Sequence, residues 1–353
     1  MWVLLVGGRL TDGQGFPLAS IGGHGAPLIG ARAAARGRSA NAAMSTPTPR
    51  PIVWQPEPPF RHRRFVCTYV PEQKIHFVCV VSTGSTILRR VVTISQLAKR
   101  QLADYDRHRP GTLFEDHAIE LTVAESYALQ FEIARLREAR GESVAGYKIG
   151  CISPVMQAQL GLDQPVFGQV FDTELHPCGV TLALADYDGL AIEGEFAVRV
   201  GEDVRGFASE FAVIELHNYV IRRPPLTAQE LIANNAIHAG VVLPREQRRF
   251  LRGPAELLDE SIAIFRNGEN LGTATGRALP DGPLGSIARL VQHLERYEKS
   301  IYPGQIILTG SPLTLYSAER ADRFEVRCQH LAEVTALISE KSSRGGRYWP
   351  YSD

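Results

Sequence analysis

From Ala145 onward the chain changes period, and that change most restricts what it can fold into. "AGYKIGC", "QPVFGQVF", "GVTLALA", "AIEGEFAVRV", "AIHAGVVL", "ESIAIFRNGENLGTATG", "GQIILTG" and "RFEVRCQ" are short apolar or alternating runs parted by Gly, Pro and Asp. Such runs predict short strands. Helical spacing intervenes mainly at "TAQELIANN" and "LGSIARLVQHLERYEKS". "RNGEN" predicts a hairpin turn, because Asn-Gly accepts positive φ. The body of the chain is therefore expected to be β-rich over residues 145–340, with a short tail at 341–353.

Ahead of this body stand two predicted helices, in a region taken as 93–144. "TISQLAKRQLADYDRHRPG" opens with Thr93 and Gln96 at capping-box spacing and stops at Pro110-Gly111. "LTVAESYALQFEIARLREARG" opens with Thr122 and Glu125 at the same spacing and leaves through Gly141. Residues 61–92 hold one or two strand-like runs without a clear assignment. Residues 1–60 are rich in Gly, Ala, Pro and Arg, which does not bury enough apolar surface to offset ordering entropy. They are expected to be a disordered leader, a start codon read too early, or a transit peptide. The last of these would place the protein in mitochondria; otherwise it is expected in the cytoplasm.

Of 353 residues 44% are apolar, enough for a sizeable core, and formal net charge is zero. Neutrality gives no reason to expect nucleic acid as a partner. No apolar run approaches the roughly 20 residues that span a bilayer, so no membrane partner is expected. The first 90 residues hold 11 of the 38 basic and 3 of the 38 acidic residues, so a basic leader precedes an acidic body. Five scattered cysteines with no CxxC suggest reduced thiols.

Within "GLAIEGEFAVRV", Glu193 and Glu195 project from one strand face, since residues i and i+2 share a side. Paired carboxylates repel and are costly to desolvate. Either the strand is a half-wet edge, or one carboxyl is protonated, or a cation lies between them. Hard oxygen donors at this spacing suit Mg²⁺ or Mn²⁺. Glu215 in "AVIELHNYVIR" is another acid in an apolar run, a third ligand or a strand-edge glutamate. His217 follows on the same face, a ligand or a satisfied histidine. Lys148 in "GYKIGC" sits between glycines, on a solvent face or aimed at an anion. In "ILTGSP", Thr309 and Gly310 offer a hydroxyl and N–H groups to an oxyanion, or form a turn. Walker, dinucleotide-binding, zincin and nucleophile-elbow motifs are absent.

Five segments in order resemble the fumarylacetoacetate hydrolase superfamily, in its branch of 2-oxopent-4-enoate hydratases and 4-oxalocrotonate decarboxylases. They are "ARGESVAGYKIGCISPVMQAQLGLDQPVFGQVF", "IEGEFAVRVGED", "VIELHNYVIR", "ANNAIHAGVVL" and "GQIILTGS", spanning about Ile94 to Ala336. The resemblance implies an α+β fold: a distorted β-roll of mixed sheets, as in that family's C-terminal domain, preceded by N-terminal helices. It implies Mg²⁺ or Mn²⁺ held by Glu193, Glu195 and Glu215. It also implies a catalytic, substrate-binding Lys148, with Thr309 and Gly310 at the substrate. Relatives often carry Asp at Val166 and Ser at Ile237.

The implied substrate is a small 2-oxo or 2-hydroxydienoic acid, as in breakdown of aromatic rings. The implied reaction is hydration. The alternatives are decarboxylation of a 4-oxalocrotonate type of acid, hydrolysis of an acylpyruvate or fumarylacetoacetate type of substrate, or a non-catalytic partner on the same fold. A homo-oligomer is implied, with a related decarboxylase or hydratase as a further partner.

Overall fold

A computed structural model describes residues 77–83, 86–107, 112–115, 119–202, 206–218, 227–247 and 254–340. The leader expected over 1–60, most of the 61–92 extension and the tail from 341 lie outside the described residues. Within the extension, β1 (Phe77–Thr83) and β2 (Thr86–Val92) form an antiparallel hairpin.

Helix α1 (Ile94–Asp106) starts at Thr93, and α2 (Val123–Ala139) starts at Thr122. Both carry the reciprocal capping box that the sequence predicts, with Gln96 and Glu125 returning to the cap backbone. Leu97, Ala98, Leu121 and Leu129 of this region are buried in a small cluster with Leu113 and Ala233. From α2, Gln130 Nε2 donates to the Phe167 and Ile232 carbonyls at 2.9 and 2.8 Å, tying the helical layer to the body.

The body follows in chain order. First come β3 (Val144–Gly150), α3 (Pro154–Leu160), β4 (Val166–Phe171), β5 (Leu175–Pro177), β6 (Val180–Ala183), β7 (Ala191–Val200) and β8 (Phe207–His217). Next are α4 (Ala228–Ala233), β9 (His238–Leu243), β10 (Ser261–Arg266), β11 (Glu269–Thr275) and α5 (Gly282–Glu295). Last are β12 (Ile306–Leu308), β13 (Tyr316–Ser317), β14 (Arg323–Cys328) and β15 (Val334–Ser339). The β10–β11 turn is Asn267-Gly268, with both φ values positive, as the sequence predicts.

Two mixed sheets result. The larger runs β4-β3-β12-β7-β8-β9-β5, with β13 also on β7; the smaller runs β11-β10-β14-β15-β6. Strands β4 and β9 approach each other, so the larger sheet curls into a roll. Alternation along β7 and β8 then divides their side chains. Phe196, Val198, Ala212, Ile214 and Leu216 face outward into the main core with Phe324, Val326 and Ala336 of the second sheet. At Gly194 that sheet packs tightly: a Cβ there would meet Val326 Cγ2 at 3.0 Å. The other face closes on a small inner core of Val170, Ala197, Phe211, Val213, Val241, Ile306 and Leu308. Glu193, Glu195, Glu215 and Lys148 share that inner face by register.

The half-wet edge considered for Glu193 and Glu195 is not what β7 provides. The strand is central, between β12 and β8, and β8 is flanked in turn by β9. No described helix is long and apolar enough to cross a membrane.

Candidate metal centre

Strands β7 and β8 pair antiparallel, with Glu193 opposite Glu215 and Ala191 opposite His217. Glu195 lies two residues along, on the same side. Lys148 arrives from β3, where Leu308 of β12 separates it from Ala197. In a flat sheet, β3 and β8 would stand three spacings apart, about 14 Å. Side chains perpendicular to such a sheet could not bridge that gap. In the rolled sheet, Lys148 Nζ comes within 3.1 Å of Glu215 Oε1.

Most of the cluster is dry: Glu215, Glu195, Lys148 and His217 are 0%, 1%, 3% and 3% exposed, while the Glu193 side chain, 15% exposed, reaches solvent. Burial alone would lower the Lys148 pKa, but Glu215, Glu195 and Glu193 outweigh it and hold the ammonium above the usual lysine range. Burial pushes Glu195 well above the usual carboxylate range, helped by Glu215 and Glu193. Burial pushes Glu215 the same way, yet Lys148 and His217 overcome it and hold that carboxyl well below its usual value. His217, against burial, is raised to about 9 by Glu215 and Glu193.

His217 Nε2 lies 3.1 Å from Glu193 Oε2 and 3.4 Å from Glu215 Oε2. Ligand atoms of Glu193, Glu215 and His217 all fall within 4.8 Å of one another. The sequence points to Glu193, Glu195 and Glu215 as the close set. Glu195 stays against Glu215 and Glu193 but has one oxygen engaged, its Oε2 accepting from the Gly310 N–H at 3.0 Å. Thr309 and Gly310 are thus both committed. The Thr309 hydroxyl donates to the Phe196 carbonyl at 3.1 Å, and the Gly310 N–H serves Glu195 rather than standing free for an oxyanion.

A histidine not singled out from the sequence also belongs to the cluster. His238, at the start of β9, places Nδ1 2.7 Å from Glu215 Oε1. Its Nε2 is 3.8 Å from Glu174, which Arg137 and Tyr105 hold at 2.7 and 2.9 Å. "ANNAIHAGVVL" shows the residue but not its aim, because the β8–β9 register shifts between Leu216 and His217. Just before it, Asn235, Ala236 and Ile237 all take positive φ. Three such residues in a row are uncommon, and a β-branched one is costly. Asn235 pins the strap, its side chain accepting from Gln169 N and donating to Gln169 O, both at 2.7 Å. Val166 stands beside the lysine: the empty Cβ direction of Gly150 points to Lys148 Nζ at 3.3 Å and Val166 Cγ2 at 3.6 Å.

The donor set fits a divalent cation. Three carboxylates face one lysine, and Glu215 Oε2 is buried without a hydrogen bond. Once metal binding releases the protons that His217 and Glu195 hold without it, three carboxylates against one ammonium leave two excess negative charges, which one divalent ion cancels.

No family model matches the chain. Over 240 residues it is 30% identical to a 2-hydroxyhexa-2,4-dienoate hydratase of Comamonas testosteroni, covering 64% of this chain and 89% of the relative. Over 226 residues it is 29% identical to a 2-keto-4-pentenoate hydratase of Burkholderia vietnamiensis, covering 61% and 86%. Among solved structures, it is similar to the 4-oxalocrotonate decarboxylase of Pseudomonas putida G7 complexed with calcium and acetate. That likeness has a TM-score of 0.61 at 25% identity over 69% of this chain and 96% of the other. The magnesium and adipate complex of the same enzyme has the same fold, with a TM-score of 0.62 at 24% identity over 69% and 97%. The rolled mixed sheets and the likeness along most of these relatives' length agree, and the chain belongs to the fumarylacetoacetate hydrolase superfamily, in the branch of the 2-keto-4-pentenoate hydratases and 4-oxalocrotonate decarboxylases.

Proposed function

We propose that the protein is a metal-dependent hydratase that adds water to a 2-hydroxy-2,4-dienoate or its 2-oxo-enoate form. The observation that carries this reading is the meeting of Glu193 and Glu215 in cross-strand register with Lys148 3.1 Å from Glu215. Glu193, Glu195 and Glu215 would hold Mg²⁺ or Mn²⁺. When bound, such an ion supplies Lewis-acid polarisation of the carboxylate and keto oxygens of a 2-oxo acid.

The chain's own groups supply the rest. Lys148, whose charged form the three carboxylates favour, would add positive charge beside the enolate oxygen or substrate carboxylate, or move a proton. Gly310 N–H keeps Glu195 in place, and His238 Nδ1 does the same for Glu215. The inner core excludes water, which strengthens each of these interactions.

Mixing the protein with Mg²⁺ and 2-hydroxypenta-2,4-dienoate should remove dienol absorbance faster than spontaneous ketonisation. No acceleration with Mg²⁺ or Mn²⁺ would remove the hydratase reading. One observation favours a second reading. Val166, beside Lys148, gives water no acid or base on that side, and loss of CO₂ from a 4-oxalocrotonate type of acid needs none. CO₂ release from that substrate separates the two. By likeness to its relatives we also propose a role in aromatic-compound breakdown and a homo-oligomeric state, which light scattering tests.

A further inference from the structure

The candidate centre contains a nitrogen donor that the three-carboxylate reading does not use. His217 is 3% exposed, and neither ring nitrogen makes a hydrogen bond among the described residues. Its Nε2 meets two carboxylates of the cluster, an arrangement in which a proton or a metal ion can sit between nitrogen and oxygens. Its Nε2 does not point into apolar packing; it faces Glu193 Oε2 at 3.1 Å and Glu215 Oε2 at 3.4 Å. Glu215 Oε2 also accepts no hydrogen bond.

These separations match those between neighbouring ligands on one ion. With bonds of about 2.1 Å, adjacent ligands lie ~3.0 Å apart in an octahedron and ~3.4 Å apart in a tetrahedron. Glu195, by contrast, has one oxygen committed to Gly310 N–H. The strand geometry explains why His217 reaches the ion position: it is two residues beyond Glu215 on the same face, opposite Ala191, whose small side chain leaves room.

We infer that His217 is a protein ligand to the metal through Nε2, and that it biases this centre toward first-row transition ions, of which Mn²⁺ is the spectroscopic probe, over Mg²⁺. The inference rests on the metal-centre reading of Glu193, Glu195 and Glu215. Its chemical basis is general: an imidazole nitrogen favours first-row transition ions, least at Mn²⁺ and more along the series, whereas Mg²⁺ prefers a shell of oxygens.

The full-length protein, stripped of metal, is titrated with Mn²⁺ and separately with Mg²⁺ by calorimetry. Mn²⁺-loaded protein is then examined by electron spin echo envelope modulation for directly bound ¹⁴N. Mn²⁺ should bind more tightly than Mg²⁺, with nitrogen modulation in the unmutated protein. His217→Gln should abolish the modulation, weaken Mn²⁺ about 10- to 100-fold and leave Mg²⁺ within about threefold. The spectrum of the unmutated protein needs no variant, so a His217→Gln that fails to fold does not block the test. Mn²⁺ bound without nitrogen coupling overturns this inference and leaves the metal-centre reading standing. Failure of both ions to bind the unmutated protein overturns the metal-centre reading and this inference with it.

Discussion

Glu193 and Glu215 stand directly opposite each other in the antiparallel ladder of β7 and β8, with Lys148 on Glu215 and His217 touching both. Like charges placed opposite across a ladder destabilise it. In the metal-free protein, the lysine and the imidazole offset that repulsion.

Metal should therefore stabilise the protein, and Glu193→Gln should reverse the order of stabilities. Without metal, the variant should melt at or above the unmutated protein, because one repulsive charge is gone. With Mg²⁺ or Mn²⁺ at a hundred times its Kd, the unmutated protein gains about 2.7 kcal/mol and Glu193→Gln gains little. Differential scanning fluorimetry with and without metal reads both.

Lys148→Met should cost about 3–5 kcal/mol in urea unfolding of the metal-free protein, because it strands Glu215 beside Glu195 without its cation. Adding Glu215→Gln should recover part of that loss. Activity should not return, because the charge beside the substrate is absent in both variants.

His293 gives a pH prediction away from the metal. It is buried among Tyr127, Phe167 and Tyr297, with ring centroids 4.5, 4.2 and 5.0 Å away. Burial first, and Arg296 second, lower its pKa from 6.5 to about 4. The native state holds it neutral while the unfolded chain takes up a proton below about 6.5. Its contribution is thus intact above 6.5 and lost as pH falls toward 4. His293→Phe should flatten the fall in Tm between those values.

Gly146→Ala should damage the site from a distance. A Cβ on Gly146 would overlap the Ile306 carbonyl, at the start of the parallel pairing of β12 with β3. Relief requires the two strands to part, at about 1–3 kcal/mol or more. Lys148, two residues along, would lose its register. Metal affinity, measured by calorimetry, should fall together with urea stability.

What the sequence made legible was local. Thr93 with Gln96 and Thr122 with Glu125 announce their helices because a capping box is chemistry within one turn. Glu193 and Glu195 share a face because alternation is a property of one strand. The facing of Glu193 and Glu215 depends on ladder register, a relation between distant segments, and residue spacing alone does not encode it. The expectation of a half-wet strand fails for the same reason. Strand β12 has three residues, yet its insertion beside β7 makes that strand central. Thr309 and Gly310 show what reading a loop for its donors leaves out: in the fold their hydroxyl and N–H also bond Phe196 and Glu195.

The placement of β12 also bears on how the chain is made. Lys148 emerges early from the ribosome, the three glutamates follow, and Ile306–Leu308 come long after. Until β12 is synthesised, β3 and β7 have no strand to join them, and the lysine has no path to Glu215. The nascent polypeptide therefore carries its acidic cluster without Lys148 beside it from the synthesis of β8 until that of β12. Assembly of the roll becomes a late, single closing event set by a three-residue strand.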